Sequence, residues 1–130
     1  MKFFIQSGAI LGFLGVALGA FGAHALRATL TASGRLDTFE TAVKYQFYHA
    51  LALLAVGILL WIAQNDPAFR KLQAVQYLTW SGNLFLAGVL VFSGSLYVLC
   101  ATNITWLGAI TPLGGVLLLA GWALLFRAMF

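Results

Sequence analysis

The alternation of hydrophobic and polar positions divides the 130-residue chain into four long apolar stretches separated by short polar breaks. They run from about Phe3 to Leu26, Ala42 to Ala63, Val75 to Ala101 and Trp106 to Phe126. Each is close to the roughly 20 residues an α-helix needs to cross a hydrocarbon core of about 30 Å. None alternates in the ten-residue units of a spanning strand. The pattern predicts an all-α integral membrane protein, a single domain over residues 1–130 with four transmembrane helices in a compact bundle.

The breaks refine this picture. Asp37 followed by Glu40 reads as a capping-box variant ahead of the second span. Helical spacing then puts Asp37, Glu40, Lys44 and Tyr48 on one wet face, and Ala42, Gln46, His49 and Leu53 on the packed one. Asp66-Pro67 is a start signal for the third span, with Phe69, Arg70, Lys71 and Gln73 forming an interfacial turn. Thr111-Pro112 either starts the last helix or kinks a longer one. In the first case Ile104 to Ile110 lie along the membrane interface.

Composition supports lipid as the solvent. The chain is 62% hydrophobic and 8% charged, with a mean hydropathy of +0.98, whereas soluble domains carry roughly a quarter charged residues. The net charge of +4 is dispersed and forms no basic stripe, which argues against nucleic acid. Lys and Arg instead record orientation. With the N-terminus inside, Lys2, Arg70, Lys71 and Arg127 oppose Arg27, Arg35 and Lys44, and the third connection, Thr102 to Thr105, is uncharged. Both termini are therefore expected on the cytoplasmic or matrix side of the membrane. Ala23-His24-Ala25 resembles a cleavage site, but the run before it exceeds the roughly 7–15 residues of a signal h-region. It is expected to remain as the first span. The single Cys100 excludes an intrachain disulfide and a paired-cysteine metal site.

Small residues point to close helix contacts. Gly8, Gly12, Gly15, Gly19 and Gly22 recur at spacings that keep them on one stripe. Such stripes let membrane helices approach closely. The stripe fits contacts inside the bundle, and it also leaves room for a homo-oligomer or a membrane-complex partner. In the third span, Asn83 is expected to hydrogen-bond to a neighbouring helix.

The candidate site is a pair of histidines. His24 and His49 sit at the inner ends of the first two stretches, which a hairpin would place on one side of the membrane. An imidazole there needs a partner, and Gln46 and Tyr45 lie one turn before His49. Two histidines under-ligate zinc. They could serve as axial haem ligands, though no attachment motif accompanies them. No Ser or Cys stands in a nucleophile motif. The sequence thus predicts no metal, no cofactor and no catalysis, but a non-enzymatic structural or accessory component with a polar latch between its first two spans. The alternative is a binder or carrier of lipid, quinone, metal or a small solute at that cluster. Against carriage, no inverted repeat and no buried acid are visible.

The strings from Gly19 to Leu26 and from Phe39 to Leu53, followed by Ser93-Gly94-Ser95-Leu96-Tyr97 and by Ile110-Thr111-Pro112-Leu113-Gly114-Gly115, carry a resemblance. The chain resembles the small multi-pass membrane family designated domain of unknown function 423, which includes YgdD-like and YwdK-like bacterial proteins and, more distantly, a small eukaryotic transmembrane protein. The resemblance implies a multi-pass inner-membrane protein and supplies no reaction. It also implies that His24, Tyr45, Gln46 and His49 belong to a shared pattern.

Overall fold

In hydrocarbon every backbone N–H and C=O must be satisfied within the chain, so long apolar runs become helices. The structure, a computed structural model, describes residues 1–66 and 72–130. Among these residues the chain forms α1 (Lys2–Ala23), α2 (Arg27–Ala32), α3 (Leu36–Asn65), α4 (Leu72–Thr102), a 3₁₀ turn (Thr105–Ala109) and α5 (Thr111–Arg127). Four are membrane-length and apolar: α1, α3, α4, and the 3₁₀ turn with α5.

Three boundaries differ from the sequence pattern. The first is α3, which starts at Leu36, beside the Asp37 start signal and ahead of the apolar edge near Ala42. Asp37 lies inside the first turn, where a carboxylate complements the helix dipole. It is not the cap: Arg35 holds that position, without a side-chain capping bond. The second is α2, which has no counterpart in the pattern and is fastened by the buried Leu30. Gly34 follows it at φ 68°, a left-handed conformation that favours glycine. The third is α5. Thr111 is its first residue and Pro112 lies in its first turn, so Pro112 does not kink a longer helix. The preceding 3₁₀ turn holds no buried residue, as an interfacial segment would. The start signal at Asp66-Pro67 and the turn through Lys71 fall largely outside the described residues.

The helices pack in chain order. α1 lies on α3, α3 on α4 and α4 on α5, while α1 and α5 share no extensive interface. The α1–α3 register is set by glycine. Gly8 faces Leu54, Gly12 faces Ala50, Gly15 faces Phe47, Gly19 faces Val43 and Gly22 faces Phe39. The whole stripe is therefore spent inside one chain. Between α4 and α5, Leu118 packs on Gly88, Phe92 on Gly114 and Phe85 on Gly121. The buried core runs through Leu53, Val56, Leu60, Leu78, Phe85 and Leu118. At the end that holds His24, Arg35 Nε donates to Asn103 Oδ1 at 3.0 Å, tying the turn before α3 to the end of α4.

Candidate functional site

The helix registers fix the depth of each polar residue. Gly12 faces Ala50, the His49 ring lies beside Phe85, and Gly88 faces Leu118. These residues mark one level near the middle of every spanning helix. His49 therefore sits mid-membrane and not at the end of its span beside His24, as expected, because α3 extends outward to Leu36. His24 follows the end of α1. At 1.5 Å per residue it stands roughly 18 Å along the axis from the His49 level. The two histidines form no common site. His24 is exposed and lines a shallow outward depression with Ala17, Phe21 and Ala25.

What surrounds His49 is a neutral hydrogen-bond network joining the spanning helices. Trp122 Nε1 on α5 donates to His49 Nε2 at 3.1 Å. An indole N–H only donates, so Nε2 is the unprotonated nitrogen. Nδ1 then carries the proton and donates to the Tyr45 carbonyl at 2.8 Å. The ring is 4% exposed, with Phe85 at 5.4 Å and Trp122 at 6.0 Å between ring centroids. One turn earlier, Gln46 Nε2 donates to the Leu11 carbonyl of α1 at 2.8 Å. Its Oε1 accepts from the Tyr97 hydroxyl of α4, also at 2.8 Å.

Serines extend the network. Ser93 donates from α4 to the Ala42 carbonyl of α3, and Ser81 donates to the Gly121 carbonyl of α5, each at 2.8 Å. Ser95 and Thr111 join their hydroxyls at the same distance. Among the described residues no buried side-chain nitrogen or oxygen lacks a partner. An interhelical bond of this kind contributes about 0.6–1.7 kcal/mol.

The expected cluster is thus partly assembled. Gln46 and His49 share the buried face of α3. Tyr45 contributes its backbone carbonyl, while its ring turns outward onto Phe92 at 4.5 Å. Asn83 makes no bond to a neighbouring helix. It is exposed on the side of α4 turned away from α3 and α5. Trp122, Tyr97, Ser81 and Ser93 entered no candidate site in the sequence. The signal for Trp122 and Tyr97 lay in the demand of His49 and Gln46 for donors, which only the α3–α4–α5 register could match to particular residues. Both ring nitrogens of His49 are engaged, so they offer no lone pair to an ion without breaking a bond. Among the described residues no three His, Cys, Asp or Glu side chains converge on a metal-sized site.

One other concavity bears on ligands. An open groove of about 510 Å³ runs along the outer seam of α1 and α3, between Phe13 and Val16 on one side and Phe47 and Leu51 on the other. Its walls are apolar.

Four membrane-length helices held together by neutral hydrogen bonds define an all-α, multi-pass integral membrane protein. A family model described as protein of unknown function (DUF423) matches residues 18–115, and the chain belongs to this family. It is similar to a UPF0382 membrane protein of Staphylococcus aureus (strain bovine RF122), 42% identical over 130 residues, covering 100% of this chain and 97% of the relative. A UPF0382 membrane protein of Staphylococcus haemolyticus is 41% identical over the same shares. The UPF0382 membrane protein YwdK of Bacillus subtilis is 44% identical over 98% of this chain and 96% of its own length. No solved structure matches.

Proposed function

We propose that this protein is a non-enzymatic structural or accessory component of the bacterial cell membrane, in which Gln46 and His49 latch the spanning helices into one packing. The observation that carries this reading is the complete internal engagement of both residues. Gln46 joins α1, α3 and α4, and His49 joins α3 to α5, which leaves no polar atom of either directed at a ligand. The test is purification in mild detergent, with thermal melting alongside metal analysis and native mass spectrometry. His49→Ala and Gln46→Leu are expected to lower the melting temperature, each by the loss of two hydrogen bonds. A metal or small molecule bound stoichiometrically to the wild type and lost in His49→Ala would overturn the reading.

Both termini face the cytoplasm in this proposal. Support comes from the connection after α4, Thr102 to Thr105, which carries no Lys or Arg. Fusions of a cytoplasm-dependent fluorescent protein to either end should fluoresce, and dark fusions at both ends would invert the orientation.

A second reading, binding of a lipid chain, is favoured by the apolar groove between α1 and α3. Its site is this seam and not the histidine cluster. Ala9→Trp would fill the groove, and loss of a co-purifying phospholipid from that variant alone would support it.

A further inference from the structure

Asn83 is a polar residue deep in a span that the latch leaves out. It lies in α4, five residues before Gly88 and two before Phe85, so it is within about two turns of the mid-membrane level. Its side chain is exposed on the bundle surface and has no hydrogen-bond partner among the described residues. A primary amide facing hydrocarbon without a partner is costly, and polar side chains deep in spans turn toward protein or water-filled space.

The surface around Asn83 is ordered. Gln76, Trp80, Asn83, Ala87, Leu90 and Gly94 are spaced 4, 3, 4, 3 and 4 apart. That is the 3.5-residue seam along which two helices pack with a shallow left-handed crossing. The first five are exposed. A Cβ built on Gly94 would meet nothing within 4 Å. Unlike the glycines of α1, this one is not spent inside the chain. Among the described residues no other helix buries Gln76, Trp80, Asn83, Ala87 or Leu90.

We infer that this face of α4 docks a second copy of the same chain, with Asn83 paired to its counterpart across a two-fold axis normal to the membrane. Symmetry selects the occupant. Copies inserted in one orientation are related by an axis along the membrane normal, so each residue on that axis meets itself at its own depth. A carboxamide is self-complementary: the N–H of one donates to the C=O of the other, and the reverse, which satisfies both amides at once. A single Asn in an apolar seam fixes register and favours two strands. A lipid chain offers neither donor nor acceptor at this depth. The dimer deepens the structural reading above and rests on it for its role, but its contacts lie apart from the latch, so the two fail separately.

The experiment is disulfide cross-linking in native membranes, in a Cys100→Ser background. Asn83→Cys and Ala87→Cys are expected to give a homodimer band on oxidation. Leu119→Cys, which faces outward on α5 at the level of Ala87, is expected to give none. In liposomes, energy transfer between labelled copies should show Asn83→Leu raising the dimer dissociation constant about tenfold, the size expected of two interhelical amide bonds. Asn83→Gln should retain most of the affinity. The melting temperature of monomeric Asn83→Leu should match the wild type, because Asn83 is exposed and makes no side-chain hydrogen bond among the described residues. Equal cross-linking at Leu119→Cys, an unchanged dissociation constant in Asn83→Leu, or an Asn83→Cys adduct with a chain of different mass would each overturn the inference.

Discussion

Two hydrogen bonds decide the state of His49. Trp122 can only donate, so the ring is held neutral with its proton on Nδ1. Nitrogen NMR of labelled protein in micelles should show this single tautomer, and a protonated Nε2 would show that the indole bond does not form. Trp122→Phe should release the ring to a mixture of tautomers and cost about 0.6–1.7 kcal/mol of stability. Gln46 and Tyr97 give a second measurement. A double-mutant cycle with Gln46→Leu and Tyr97→Phe should return a coupling of similar size. At this scale the sequence was partly legible. Helical spacing put Ala42, Gln46, His49 and Leu53 on one face, and all four are buried. Depth was misread because the membrane edge was placed at the hydropathy edge near Ala42, although the helix signal began near Asp37, which moved His49 outward and made it a neighbour of His24.

Among the helices, packing turns on where a methyl group fits. A Cβ at Gly114 would strike the backbone of Phe92, which cannot yield as a side-chain tip can. A Cβ at Gly12 would meet Ala50 Cβ at 3.9 Å, an ordinary contact. Gly114→Ala should therefore destabilise the protein by about 1–3 kcal/mol, and Gly12→Ala should stay within about 0.5 kcal/mol of wild type. Comparing the two melting temperatures checks both, and equal losses would contradict the register. The α1 stripe and the four spans were legible because both are periodic over many residues. The α2 turn was not: six residues with one buried anchor, Leu30, lie beneath any periodicity signal. The surroundings of Asn83 were not legible for a similar reason. The sequence shows a polar residue inside a span, but not which face of that span the other helices leave open.

For the whole molecule, the links are unequal. α4 is covered from both sides by α3 and α5, whereas α1 rests on α3 and, among the described residues, takes one side-chain hydrogen bond from the other spans, that of Gln46. Backbone amides of α1 should exchange with solvent deuterium in detergent before those of α4. Simultaneous exchange would mean that the bundle opens as one unit. The chain-order packing also bears on biogenesis. Each span after the first packs on the span made just before it, so the main interhelical contacts join neighbours in the chain. As α3 emerges it can close on the glycines of α1. α4 can then bring Tyr97 to Gln46 and Ser93 to the Ala42 carbonyl, while His49 must wait for Trp122 on α5, the last span made.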